Sequence, residues 1–163
     1  MTTNSACQIQ RSSDPELFAL FAEWMSQSDP WVTLGMNREQ CRNAFDGDYR
    51  EVFSLHVNGA PVGFVILQMK GTFKGYIQTL FIHPDQHRKG FGKWLLQYSE
   101  DYIRKSSPNI FICVSSFNTD AIRLYEQFGF KQIGILKDFI RPGFDELLYR
   151  KNFGDLLSFK TTV

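Results

Sequence analysis

Leu17, Leu20, Phe21 and Trp24 recur at the three- and four-residue intervals that set side chains on one face of a helix. Ser13-Asp14-Pro15-Glu16 precedes them with cap-forming residues, a proline suited to a first turn and a glutamate placed for a capping box. Asp29-Pro30 stops the pattern. A shorter helix is expected from about Asn37 to Phe45, closed by Asp46-Gly47. Beyond it the apolar positions lose helical spacing. Glu51–Val57 and Pro61–Leu67 are extended runs divided by Asn58-Gly59, the strongest short-range hairpin signal. Gly71–Gly75 turns the chain into a third run, Tyr76–Ile82, so the three read as a meander.

Pro84 ends the meander, and helical spacing returns from Gly90 to about Lys105 through Phe91, Leu95, Tyr98 and Tyr102. Ser107-Pro108 stops that helix, and Ile110–Ser115 is a short, almost continuously apolar strand of the buried kind. Thr119–Phe128 reads as a helix with Gly129 as its terminator. Phe130–Leu136 and Asp145–Arg150 form a closing strand pair around a loop at Arg141-Pro142-Gly143. No repeat or linker interrupts residues 1–163, so one α/β domain is expected, with a crossover helix between the third meander strand and the strand at Ile110.

Composition narrows the class. The 163 residues weigh 18.9 kDa, the size of one ordinary domain. Hydrophobic residues at 43% and aromatic residues at 15% supply a core and exclude intrinsic disorder. A formal net charge of +1 argues against binding nucleic acid through bulk electrostatics. There is no apolar run of membrane-spanning length, and Met1-Thr2-Thr3-Asn4-Ser5 carries no leader pattern. A cytoplasmic protein without a membrane partner is therefore expected. Cys7, Cys41 and Cys113 are odd in number and far apart, which suggests neither a disulfide framework nor a zinc cluster. Cys113 reads as a small buried hydrophobe.

The small net charge hides an asymmetry. Residues 1–60 hold 4 Lys/Arg and 8 Asp/Glu, whereas residues 61–163 hold 14 and 9. Part of the basic excess lies in His83-Pro84-Asp85-Gln86-His87-Arg88-Lys89-Gly90-Phe91-Gly92-Lys93, between a strand and a helix. Gly90 and Gly92 let backbone approach a ligand closely, and the first-turn N–H groups and helix dipole favour an anion. Arg88, Lys89 and Lys93 add positive charge, so the stretch suits phosphate groups. It is not a dinucleotide fingerprint, because Leu95 stands where a third glycine is needed, and not a P-loop, because Trp94 follows Gly92-Lys93. His83 and His87 flank Pro84, which disfavours a helical metal pair, and no metal is expected.

A second segment, Asn118-Thr119-Asp120-Ala121-Ile122-Arg123-Leu124-Tyr125-Glu126-Gln127-Phe128-Gly129-Phe130, starts a helix at Asn118 and carries Tyr125 two turns on. Together the two segments resemble the GNAT superfamily of N-acetyltransferases, whose strand–helix junction P-x-x-[QR]-x-x-G-x-[GA] is followed by N-x-x-A-x-x-x-Y-x-x-x-G-F. Pro84, Gly90 and Gly92 match the first motif, and His87 takes its Gln/Arg position as a departure. Asn118, Ala121, Tyr125, Gly129 and Phe130 fill the second.

The resemblance implies a mixed, mostly antiparallel central sheet with flanking helices, in which Tyr76–Ile82 and Ile110–Ser115 are a splayed parallel pair forming an acetyl-CoA cleft. It implies that Leu80, Phe81 and Ile82 meet the pantetheine arm, that the loop His87, Arg88, Lys89, Gly90, Phe91, Gly92 and Lys93 holds the pyrophosphate, and that Asn118 helps hold the donor. A backbone N–H near Leu80 or Phe81 would face the developing oxyanion. Tyr125 would protonate the departing thiolate during direct transfer of the acetyl group to a primary amine, on a small molecule or a protein N-terminus. The alternative is a domain of the same fold that binds acetyl-CoA without turning it over.

The base stays open among Glu51, His56 and Glu146, with the non-titrating Gln78 facing or near the site. Asp29, Trp31, Asp46, Asp48 and Glu51 would give an acidic acceptor rim suited to a cationic amine. Lys137–Leu148 is loosely similar to the same region in enzymes that acetylate protein N-termini. Exposed aromatic residues would suit a homodimer.

Overall fold

The structure, a computed structural model, describes residues 6–162. Strand β1 (Cys7–Ser12) leads into α1 (Pro15–Ser26), α2 (Arg38–Arg42) and a 3-10 turn at Asn43–Phe45. Strands β2 (Arg50–Val57), β3 (Ala60–Gln68) and β4 (Tyr76–Ile82) form the expected meander. Helix α3 (Phe91–Ile103), β5 (Asn109–Ser115), α4 (Thr119–Gln127), β6 (Lys131–Arg141) and β7 (Phe144–Asn152) complete the chain. The seven strands lie in the order β1-β2-β3-β4-β5-β7-β6, and every neighbouring pair is antiparallel except β4 with β5.

Local chemistry places the elements. The Asp14 carboxylate accepts from the Glu16 N–H at 2.9 Å and opens α1, with Pro15 in its first turn. Asn37 and Gln40 cap α2 reciprocally, each side chain accepting from the other's backbone N–H at 2.8 Å. Asn58 and Gly59 both take positive φ, the geometry that a two-residue hairpin requires and that glycine and asparagine tolerate.

Alternation along β3 divides the core between the two sheet faces. Phe64 and Ile66 pack with Phe21, Met25 and Phe45 beneath α1 and α2. Val65 and Leu67 pack with Leu95, Leu96, Ile103 and Tyr125 beneath α3 and α4. On the α1 face Phe64 stacks on Phe21 at 4.4 Å and on Phe81 at 5.5 Å, so α1 is seated against β4 by aromatic contact.

Three features depart from the pattern reading. β1 was not anticipated; it is an edge strand on which only Ile9 and Ser12 are half-buried, so it has no apolar run to betray it. β6 runs five residues past Leu136, through Phe139 and Ile140, because Asp138 takes positive φ and its carboxylate accepts from the Gly143 N–H, closing a longer hairpin. Cys113 is partly exposed rather than buried.

Candidate active site

The sheet opens at a single extra residue. Ile66 pairs with Thr79 and Leu67 with Ile77, which leaves Gln78 without a partner on β3. Such a bulge bends the strand that carries it. Gln78 is held there by its amide, which accepts from Gln68 Nε2 at 2.8 Å and donates to the Ala44 carbonyl at 2.9 Å. Accordingly β4 pairs with β5 at Tyr76–Phe111 and Ile77–Ile112 only. Thr79 to Ile82 part from β5 and leave a V between the strands.

A cleft of about 820 Å³ occupies that opening. Leu80, Phe81 and Ile82 line one wall, and His87, Arg88, Gly90, Phe91, Gly92 and Lys93 line the end at α3. Asn118 and Tyr125 enter from α4. Gly90 is the N-cap of α3 at φ +83, a conformation that a side chain strains, and nothing lies within 4 Å of where its Cβ would stand. No side chain caps α3, so its first-turn N–H groups face the cleft end uncovered. With Arg88, Lys93 and Arg123 around them, these donors fit a pyrophosphate.

Two loop residues behave differently from expectation. Lys89, which follows Arg88 at positive φ, does not line the cleft; its ammonium donates to Gln86 Oε1 at 3.0 Å. His87 contributes its position but not its ring, since Nε2 donates to the Ile82 carbonyl at 2.8 Å and ties the loop to the end of β4. Asn118 caps α4, its carbonyl oxygen accepting from the Ala121 N–H at 3.3 Å.

Tyr125 is 6% exposed and belongs to the α3–α4 core. Burial pushes its hydroxyl well above the ordinary phenol value, and the Glu146 carboxylate adds to the shift. Of the residues left open as bases, Glu51 accepts from the Tyr102 hydroxyl at 2.5 Å and pairs with Arg11 at 3.8 Å. His56 contacts Gln10 and Ser54 near the β1 edge. None of the three candidate bases, Glu146 included, lines the cleft. Glu146 is 4% exposed and accepts from Ser115 Oγ at 2.5 Å.

The acidic rim is smaller than the composition suggested. Asp29 and Trp31 line the cleft, whereas Asp46 pairs with Arg42 at 2.8 Å, and Asp46, Asp48 and Glu51 lie outside it. Asp120 and Arg123 join the lining from α4 without having been anticipated. They stand two and five positions after Asn118, off the face that Ala121 and Tyr125 share, so spacing gave no signal of them. No group of three or more His, Cys, Asp and Glu able to hold a metal occurs among the described residues, and no helix there is long and apolar enough to cross a membrane.

Comparison with known proteins agrees with this geometry. The N-alpha-acetyltransferase RimI of Mycobacterium tuberculosis is 25% identical over 90% of this chain and 91% of its own length. The peptidyl-lysine N-acetyltransferase YiaC of Escherichia coli is 27% identical over 76% of this chain and 80% of its own. Among solved structures, yncA of Salmonella typhimurium with its cofactor acetyl-CoA superposes with a TM-score of 0.70 at 16% identity, covering 95% of this chain and 98% of the other. Residues 15–130 match the sequence profile of the acetyltransferase (GNAT) family, whose acetyl donor is acetyl-CoA. On that match, which spans more than half of the sequence, the chain belongs to the GNAT acetyltransferase family.

Proposed function

We propose that this protein moves the acetyl group of acetyl-CoA directly to a primary amine carried by a polypeptide, with a protein N-terminus as the leading acceptor. The observation that carries the reading is the placing of Tyr125, a basic helix start and the opened wall Leu80–Ile82 on one cleft. The whole chain acts as one catalytic domain in this reading.

The backbone of Leu80, Phe81 and Ile82, paired with β3 but open on the β5 side, receives the extended arm of the donor as a strand would. His87, Arg88, Gly90, Phe91, Gly92 and Lys93 hold its pyrophosphate through backbone N–H groups and positive charge, and Asn118 fixes the start of α4 beside them. A backbone N–H at Leu80 or Phe81 stabilises the oxyanion, a contribution of about 3–4 kcal/mol in comparable sites. Tyr125 gives its proton to the departing thiolate. Its raised pKa keeps the phenol protonated and ready to donate at neutral pH.

The acceptor enters beside Asp29 and Trp31, where a carboxylate and an indole suit an amine on a peptide. The similarity to RimI, which spans nearly the full length of both chains, supports the N-terminal acceptor; that to YiaC supports a lysine. A panel of peptide N-termini, peptidyl lysines, polyamines, aminoglycosides and free amino acids, followed by coenzyme A thiol release, tests the proposal. Release with peptides is expected. Tight acetyl-CoA binding with no release from any amine would favour a non-catalytic binding domain instead.

A further inference from the structure

Two strands meet more closely at Gly63 than a side chain would allow. Gly63 is buried on β3 opposite Ile82, the last residue of β4. An added Cβ would stand 2.5 Å from the Phe81 carbonyl oxygen and 2.7 Å from Ile82 Cδ1. Both distances fall well inside van der Waals contact. Gly63 does not take positive φ, so space rather than backbone conformation demands the glycine. Val62, just before it, is the extra residue where Leu55 pairs with Gly63 and His56 with Pro61, a second bulge in the meander.

Alternation along the pairing shows what this contact carries. The His83 N–H donates to the Val62 carbonyl at 2.9 Å, so His83 and, two residues back, Phe81 direct their backbone groups at β3. Leu80 and Ile82 therefore turn theirs away from β3, toward the side that β5 has left. The Ile82 carbonyl agrees, because its donor is His87 Nε2 and not a group of β3. The N–H groups of Leu80 and Ile82 thus stand open in the cleft wall, which makes Leu80 rather than Phe81 the oxyanion donor. The Phe81 carbonyl meets Gly63 from behind that wall.

We propose that Gly63 is a positioning residue for the acetyl donor: by carrying no side chain it lets the end of β4 lie down on β3 and keeps the far end of the V open. The inference rests on the acetyltransfer reading above and adds what sets the width of its cleft. Gln78 fixes where β4 leaves β5, and Gly63 fixes how far away it then stays. Past Thr79, β4 has β3 on one flank and the V on the other. β3 is held in place, since Phe64, Val65 and Ile66 are fully buried and paired to β2 behind them. A side chain at position 63 is therefore relieved by moving Phe81 and Ile82 into the V.

The displacement reaches both ends of the donor site. His87 follows Ile82, because its ring holds that carbonyl, and the anion loop shifts on the same push. A residue that does not line the cleft thereby sets its strand wall and its phosphate end together. The two contacts differ in kind. Ile82 Cδ1 is the tip of a side chain that can rotate or be cut back, whereas the Phe81 oxygen is backbone and moves only with the strand.

The test compares wild type, Gly63→Ala, Ile82→Val and the double variant carrying both changes. It records acetyl-CoA affinity by calorimetry, kcat with separate KM values for donor and amine, and thermal melts. Gly63→Ala is expected to weaken acetyl-CoA binding and raise its KM roughly tenfold, with the amine KM unchanged and kcat at saturating donor lowered less than about threefold. Ile82→Val removes Cδ1, so the double variant should recover only part of the loss. A lowered melting temperature with wild-type acetyl-CoA affinity would overturn the proposal, as would full recovery in the double variant. Amide exchange on the wild type tests the geometry even where Gly63→Ala does not fold. Leu80 and Ile82 should exchange fast in the free protein and slowly with acetyl-CoA, and Phe81 and His83 slowly in both. Fast exchange at Phe81 with protection at Leu80 and Ile82 in the free protein would also overturn the proposal. A wild-type protein that does not bind acetyl-CoA would overturn the acetyltransfer reading with it.

Discussion

The His87 ring donates through Nε2 to the carbonyl of Ile82 at 2.8 Å, so the anion-binding loop is fastened to the strand that lines the cleft. A phosphate site and a strand end that must act on one molecule are thereby kept in register. His87→Ala removes the tie without touching the backbone donors. Losing one hydrogen bond of about 1 kcal/mol should weaken acetyl-CoA binding roughly fivefold. Calorimetric titration measures it, and an unchanged Kd would show that the loop holds its shape alone.

Tyr125→Phe deletes one oxygen from a side chain already packed in the α3–α4 core, so folding and donor affinity should persist. Turnover should fall roughly 100-fold if the hydroxyl is the proton donor. Because its pKa is raised, the wild-type enzyme should show no loss of kcat from Tyr125 ionisation up to about pH 9. Steady-state rates of both proteins decide the matter, and equal kcat values would remove Tyr125 from the chemistry.

Glu146 also makes a prediction about stability. Its folded pKa lies above the ordinary carboxylate value, so the fold favours the protonated form. That contribution is complete below the ordinary value and is lost as pH rises through the folded one. Glu146→Gln keeps a neutral acceptor for Ser115 at every pH. Its urea midpoint should exceed that of the wild type at about pH 8 and approach it at about pH 4. The reverse order would mean that the ionised carboxylate is the form the fold prefers.

Lys151 lies 2.5 Å from Glu100 and 4.2 Å from the Phe128 ring centre, and none of the three lines the cleft. Lys151→Ala leaves the buried carboxylate with only Arg104, at 3.9 Å, and should cost about 2 kcal/mol, less than a fully buried pair because the lysine is partly exposed. The melting temperature should drop ~5–10 °C with acetyl-CoA affinity unchanged. Replacing Glu100 and Lys151 together by Met should recover most of it, as thermal melts would show.

What could be read from residue order was whatever local chemistry decides. Asn58-Gly59 specifies its hairpin because few other pairs tolerate two positive φ angles in succession, and Asn118 through Phe130 specifies both a helix and its cap. β1 escaped because an edge strand exposed on most sides needs no apolar pattern. The bulge at Gln78 escaped because nothing about glutamine announces it; it exists only in the offset between β3 and β4. The charge of Lys89 can be counted in a sequence, whereas the turn of its ammonium toward Gln86 cannot be read there. Glu51, His56 and Glu146 stay alternatives in the sequence because strand pairing, which sets Glu146 opposite Ser115, cannot be read from residue order.

A flat ribbon of seven strands has two margins, here β1 and β6. The extra residue at Gln78 makes a third, folded inside the protein between β4 and β5. Outer margins solicit other chains and are usually blunted against aggregation. The inner one is recessed behind the start of α3 and the flank of α4, where a neighbouring polypeptide has no room to add itself. Its extended wall beside a basic helix start suits a slender, strand-like rod ending in phosphate. The vacancy in the ladder thus comes from counting residues rather than choosing them, and deleting Gln78 should close it however well every surrounding side chain is kept.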